Sequence, residues 1–397
     1  MTRLSPALGN WATRTVPEPV VLAGGIVFGV ILRAVQLATS IGTVDASNWL
    51  RHVLYVEQLG VLRCYPASRL INHPTLGLEV AYWSWKLGGA IGLQFFDVFR
   101  IVMCAADVVT ALALAAIARS VGANRVWVAL VFFLSPAAIF ISAFHCNSDP
   151  LMVMFIVLAL LAAVREKPVL AGVLIAAAVG IKIIAFAALP LLLFAFRGWK
   201  PRARFLVAAA IVGAVIFVPP VIVSGWVAIR NIFGYTGWRG AWGFHLLLNI
   251  IGFAVPQAVP QDSSTYLTPL LIVAMLTLWC VEAWRARHEA IAPARLIRVV
   301  GLAFLLVLFL GPGFGVQYLM WILPYPALFL RRAFAVILHA LVSAFLFAVY
   351  TSWSHGWPWL WASGSTNPAW VAVLGLVAWA AIGAAAVTNA RALAARA

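Results

Sequence analysis

Charge is what this sequence has least of. Only 10% of its 397 residues are Asp, Glu, Lys or Arg, and 11 of them are acidic, where soluble domains carry about 25% charged residues. With 64% of the chain hydrophobic, a water-soluble fold has no way to hide the apolar surface. Cysteine is sparse too: Cys64, Cys104, Cys146 and Cys280 show no CxxC spacing, which gives metal and redox chemistry little support. The inverted repeats that mark many transporters are missing, as are low-complexity tracts. The alternating ten-residue pattern of an outer-membrane barrel is absent as well.

What is present is a succession of apolar runs of about 15–20 residues, the length a helix needs to cross a hydrocarbon core of about 30 Å. Spans are expected near 19–38, 99–118, 125–143, 150–164, 168–182, 183–196, 205–223, 267–283, 297–311, 316–331, 333–351 and 368–388. The first run, Pro19 to Ala38, is long for a signal peptide and lacks a small-x-small cleavage site, so it reads as a retained first helix. The expected fold is all-α: a single polytopic membrane domain over 1–397, with about 12 transmembrane helices.

The net charge of +16 does not indicate nucleic acid, because the basic residues stand in pairs between apolar runs and no basic stripe carries stacked aromatics. They read as orientation signals. One apolar stretch, Pro74 to Leu93, contains Glu79 and Lys86 among Tyr82, Trp83 and Trp85. If it stays on one side, 18 of the 27 Lys and Arg, from Arg3 and Arg14 to Arg391 and Arg396, fall in the cytoplasm. If it crosses, nearly every basic cluster moves outside, against the positive-inside bias. It is therefore read as an interfacial helix in a long first outer loop, 39–98. The expected location is the plasma (inner) membrane with both termini cytoplasmic. The outer face, which also receives 144–149 and 224–266, is the elaborated one and the natural place for chemistry.

Polar side chains gather at outer helix ends. Asp45, after the first span, either caps a following amphipathic helix or serves as a general base at the membrane boundary. In that helix Trp49, Leu50, Val53 and Leu54 are expected on one face and Arg51, His52, Tyr55 and Gln58 on the other. Asn72 or His73 before Pro74 is ordinary helix-start chemistry, and Asp149 before Pro150 is an N-cap signal. Yet His145, Asn147, Ser148 and Asp149 together also make a sugar- or phosphate-binding rim. Lys182 sits between apolar neighbours and is either functional or snorkelling. Arg100 and Asp107 lie on one helical face and can pair with neighbouring helices. Arg239 and His245 stand among glycines and aromatics that suit a sugar ring and a phosphate. Gln317 and Tyr318 open a later outer helix start. Cys64 and Cys146 are expected on the same face, paired as a disulfide or left as free thiols.

In this order the elements resemble the GT-C superfamily of membrane glycosyltransferases, including bacterial mannosyltransferases and the glucosyltransferases of N-glycan assembly. The likeness rests on Asp45 after the first helix, His73-Pro74-Thr75-Leu76, the turn from His145 to Asp149, Gly180-Ile181-Lys182, Trp242-Gly243, and Gln317-Tyr318 followed by Trp321 and Pro324. The resemblance implies a polyprenyl-phosphate-sugar donor, a lipid-linked or cell-envelope glycan acceptor, and a hexose, mannose or glucose, transferred on the outer face. It assigns Asp45 as base, with His73, His145, Asn147, Asp149, Lys182, Arg239, His245, Gln317 and Tyr318 binding substrate. Many such enzymes hold a divalent metal through Asp-x-Asp, but Asp45 is followed by Ala46 and Ser47, so no cofactor is expected. Cations then fall to the leaving phosphate, with Lys182 and Arg239 nominated. Membrane lipids are the other expected partner. The rival readings are a multi-spanning transporter or lipid flippase, which should bury ionisable groups in several spans, and a non-catalytic scaffold.

Overall fold

A computed structural model describes residues 16–234, 242–254, 264–287, 289–364 and 367–395. Most of it is helix. α1 (Glu18–Thr39) leads through a two-residue strand β1 (Gly42–Thr43) into α2 (Val44–Leu59) and α3 (Thr75–Ile91). Then come α4 (Phe95–Ser120), α5 (Arg125–Phe133), α6 (Pro136–Ile139), a π-helix over Phe140–His145, α7 (Asp149–Val164) and α8 (Pro168–Ile181). A 3-10 helix at Ile183–Ala188 runs into α9 (Leu189–Leu193), followed by α10 (Trp199–Ser224), α11 (Trp226–Phe233), α12 (Gly243–Ala254), α13 (Ser264–Arg285) and α14 (Pro293–Leu310). A 3-10 turn at Val316–Trp321, α15 (Pro326–Phe329), α16 (Arg332–Trp353), β2 (Trp361–Ala362) and α17 (Ala369–Ala394) complete the chain.

Seven of these helices, α1, α4, α10, α13, α14, α16 and α17, are long and apolar enough to cross a membrane, with mean hydropathy between 1.8 and 2.7; the α5–α6 pair makes an eighth if the bent helix is one span. α1, α10 and α13 leave most of their apolar surface outward, whereas α4, α14 and α16 are more than half buried. The first group suits contact with lipid and the second forms the centre of the bundle. Close approach is made by small residues, as in membrane bundles generally. A Cβ on Gly172 of α8 would lie 2.3 Å from the Phe205 carbonyl of α10, so only glycine permits that contact.

The α5–α6 pair bends by 51°. Pro136 cannot continue the preceding helix, and the backbone groups freed at the break find side chains. Phe133 O accepts from Arg33 Nη1 at 2.9 Å and Ala137 N–H donates to Ser343 Oγ at 3.0 Å.

The expected runs at 150–164 and 168–182 form helices of 16 and 14 residues, shorter than those seven, and 183–196 forms a 3-10 helix running into the five-residue α9. The expected helix at 316–331 does not form a regular span either. Its 3-10 turn and four-residue α15 are separated by the segment holding Pro324, and residues 316–327 are buried throughout. Irregular backbone at membrane depth is tolerated only inside protein, which is where this segment lies. It still travels the length of the bundle. Gln317 stands beside Asp45, while Phe329 packs on Gly301 and Arg332 lies over the Trp127 ring at the start of α5.

The two ends of the bundle differ in character. One gathers basic residues, with ion pairs Arg125–Glu18 at 2.7 Å and Arg295–Glu282 at 2.5 Å, and Arg202 donating to the Phe196 and Ala286 carbonyls. The other holds α2, α3, α11 and the β1–β2 bridge. α3 begins against Ile181 and ends against Gln94 and Val98 at the start of α4, so it starts and finishes at that same end. It is tied to α2 by Glu57, which accepts from Lys86 at 2.8 Å and from Tyr82 at 2.7 Å.

Candidate active site

Asp45 is positioned by the turn that ends α1. Gly42 adopts φ +126, and a Cβ there would lie 3.0 Å from the Phe144 carbonyl. β1 pairs in parallel with β2, Gly42 opposite Trp361. Thr43 is the N-cap of α2, accepting the Asp45 N–H at 3.3 Å, and its hydroxyl donates to the His145 carbonyl at 2.8 Å. The capping role open to Asp45 in the sequence therefore belongs to Thr43. The carboxylate is left free for other partners.

Those partners come from the 140–149 segment. Asp45 Oδ2 accepts from Asn147 Nδ2 at 2.6 Å and lies 3.1 Å from His145 Nε2, while His145 Nδ1 is 3.0 Å from the Tyr350 hydroxyl. Both contacts fall on Oδ2, so Oδ1 accepts no hydrogen bond among the described residues, on a side chain one quarter exposed. Burial pushes the Asp45 carboxyl up, but the hydrogen bond and charge of His145, the bond from Asn147 and the charge of Lys182 outweigh it and hold the group at about 2. At neutral pH it is an anion.

The π-helix that delivers His145 is gripped by two buried arginines. Arg33 Nε reaches Ser142 Oγ at 3.2 Å and its Nη2 pairs with Asp107 Oδ2 at 2.7 Å; Arg100 Nη1 donates to the Ala143 carbonyl at 3.0 Å and to Ser40 Oγ. Asp107 thus pairs with Arg33, and Arg100 with Asp97 at 3.0 Å. After His145 the chain turns sharply at Cys146, at φ 64. Cys146 and Cys64 are both buried free thiols rather than a disulfide.

Asp149 is the first residue of α7, not its cap, and is fully buried. Its two oxygens each lie 2.9 Å from Lys182 Nζ, and Oδ1 also accepts from Trp321 Nε1 at 2.5 Å. Lys182 stacks over Tyr318 at 4.5 Å and does not snorkel: its side chain is 11% exposed. Its charge is largely offset by Asp149. That changes its expected part as a free cation, though an ammonium has three donors and Asp149 need engage only two.

Three cavities meet around these groups. A pocket of about 280 Å³ is lined by Asp45, His145, Phe314, Gln317, Phe345, Trp353 and Asn367. A smaller one of about 110 Å³ joins Asp45 and Gln317 to Asn48, Trp49, His52, Asn72, His73, Asn147, Lys182 and Tyr318. The third, about 240 Å³, shares Asn72, His73, Lys182 and Tyr318 and is otherwise walled largely by Ile183, Ile184, Ile232, Leu271 and Val307. Asp45 thus lies between a pocket with aromatic and amide walls and a polar neck that opens toward an apolar chamber. A larger hollow of about 750 Å³ lies at the basic end beside Glu282 and Arg295, away from all of these groups.

The structure therefore brings Asp45, His73, His145, Asn147, Lys182, Gln317 and Tyr318 to the cavity walls, with Asp149 behind Lys182. His73 stacks on Trp49 at 4.3 Å. Burial, aided by the charge of Lys182, keeps its imidazole well below the usual value, and burial takes His52 down to about 4. Both rings are neutral. His245, in the first turn of α12, is buried but lines none of the three cavities, while Arg239 lies outside the described residues. The face of α2 differs from expectation: Trp49, His52, Val53 and Val56 are buried and Leu54 is exposed, a stripe at i, i+3, i+4 and i+7 that turns His52 inward. Tyr350, Trp353 and Phe314 carry no sequence signal as site residues, since aromatic residues near span ends are the norm for interfacial belts.

Among the described residues no three His, Cys, Asp or Glu side chains converge to hold a metal ion. The donor set also does not fit one, with Asp45 Oδ2 and both Asp149 oxygens occupied by N–H groups.

No curated protein gives a match to this chain. Residues 76–198, from α3 to the start of α10 and including His145, Asn147, Asp149 and Lys182, match the family model described as alpha-(1->6)-mannopyranosyltransferase, N-terminal domain, which supports a mannose-transferring glycosyltransferase set among membrane-spanning helices.

Proposed function

We propose that this protein is a single-domain, GT-C-like membrane enzyme that passes a mannosyl group from a polyprenyl-phosphate donor to a hydroxyl of a lipid-linked or cell-envelope glycan, with Asp45 as general base. The chain makes twelve passages, of which those at 183–196 and 316–331 are not continuous α-helix. The basic end faces the cytoplasm by the positive-inside rule, and Asp45 works on the outer side. The observation that carries the reading is the position of an ionised carboxylate between an aromatic-walled pocket and a polar neck leading to an apolar chamber.

The acceptor sugar occupies the pocket of Phe314, Phe345 and Trp353, whose ring faces suit a pyranose. The donor's sugar and phosphate lie in the neck and its isoprenoid begins in the apolar chamber. As the acceptor oxygen bonds to the anomeric carbon, its proton passes to Asp45 Oδ1. The bond from that carbon to the phosphate oxygen breaks, and the phosphate departs with the electron pair, already an anion that needs no acid. The third N–H of Lys182 is the cation nearest the neck to receive it. A carboxyl held at about 2 is a weak base for a free alcohol. The proton therefore moves late, once C–O bonding has made the hydroxyl acidic, and the donor phosphate brought alongside raises the affinity of Asp45 for it.

A transporter would need its intramembrane charges on a path. Arg33 and Asp107 instead bond each other and line none of the three cavities. The test is transfer by purified protein in lipid from synthetic polyprenyl-phosphate mannose and glucose, comparing wild type with Asp45→Asn. Turnover should fall by roughly 100-fold or more; an undiminished mutant would overturn the assignment.

A further inference from the structure

A second cavity, of about 570 Å³, opens at the basic end, far from Asp45 along the bundle. Its walls are Leu22 of α1 with Leu112, Ala115 and Ala116 of α4, and its rim carries Arg119, Ser120, Arg125 and Arg165. Three helix ends and the start of α1 thus bring three guanidinium groups around one opening.

The charge there is not balanced. Glu18 accepts from Arg125 Nε at 2.7 Å, which engages one of the five donors of that side chain. Arg119 and Arg165 make no ion pair among the described residues, and the 15 residues preceding Val16 contain no Asp or Glu to supply one. Leu112 is half exposed on the flank that runs from the rim toward the middle of the bundle. Arginine orientation signals alone require neither a cavity nor an apolar flank.

We propose that this cavity seats one anionic glycerophospholipid of the leaflet on the basic side. Its phosphate lies among Arg119, Arg125 and Arg165, in the manner of basic pockets between membrane helices, and an acyl chain runs along Leu22, Leu112, Ala115 and Ala116. The guanidinium fork matches phosphate oxygens in pairs. A zwitterionic head group would bring its own cation into a site already rich in positive charge, so the site discriminates by head-group charge.

The experiment is native mass spectrometry of the full-length protein, delipidated in neutral detergent and titrated with phosphatidylglycerol or phosphatidylcholine of the same acyl chains. Wild type should retain one phosphatidylglycerol about tenfold more tightly than phosphatidylcholine. The double variant R119Q/R165Q, altered only at exposed positions, should lose that preference. K200Q/R204Q, which removes the same charge elsewhere at the same end, should keep it. Equal retention of the two lipids, an unchanged R119Q/R165Q, or equal loss in K200Q/R204Q would overturn the proposal. So would displacement of the lipid by inorganic phosphate at matching concentration, which would reduce the site to one for free anions.

Discussion

At the scale of single residues, the decisive feature is that Asp45 is an anion because of what surrounds it, not because it is exposed. The same group with its partners removed would be governed by burial, which acts in the opposite direction. His145→Ala should therefore raise the Asp45 carboxyl above about 2 and move the acid limb of the pH profile of kcat/KM upward, while wild type shows no Asp45 limb between pH 4 and 8. An unmoved limb in the variant would separate His145 from Asp45. Tyr350→Phe removes only the 3.0 Å contact to His145 Nδ1; a neutral hydrogen bond is worth about 0.5–1.5 kcal/mol, so turnover should fall by up to about tenfold with KM little changed. Asp45, His145 and Asn147 were legible in the sequence because polar residues at the ends of apolar runs stand out. Tyr350 was not, because an aromatic residue there has an ordinary interfacial explanation.

Elements show how the site is held. The π-helix at Phe140–His145 is held from both sides: Arg100 donates to its Ala143 carbonyl, and Arg33 bonds the Ser142 hydroxyl and, at the preceding bend, the Phe133 carbonyl. Asp107→Ala would leave Arg33 buried and unpaired, and breaking such pairs costs about 3–5 kcal/mol; thermal unfolding in detergent should show a marked drop. The Lys182–Asp149 pair should behave alike. Asp149→Leu alone should destabilise strongly, whereas Asp149→Leu with Lys182→Met should recover much of the loss, because the pair is then removed together. Equal melting of the single and double variants would mean that the pair is not coupled. Helix boundaries in the long apolar runs followed from composition, but the bend at Pro136 and the irregular 316–331 segment did not. Their backbone needs are met by residues up to 206 positions away.

For the whole molecule, the arrangement of the ends makes a single topological prediction. Ser47 lies at the Asp45 end and Arg287 at the basic end, so cysteines placed at these positions in a Cys280→Ser background should be labelled by a membrane-impermeant thiol reagent from opposite sides. Labelling from one side would refute the count of twelve passages. The sequence by itself determined that the chain lives in a membrane, where the basic residues lie, and that polar groups collect at the ends of apolar runs, since each follows from transfer free energies local to a run of residues. Only the tertiary structure decided that Lys182 is neutralised by Asp149, that His52 turns inward, that Asp45 draws on Asn147 and a His145–Tyr350 chain, and that three arginines line one hollow. Those facts depend on which helices become neighbours, and in an almost uniformly apolar chain that choice is made by close packing and a few buried polar bonds that no stretch of sequence reveals alone.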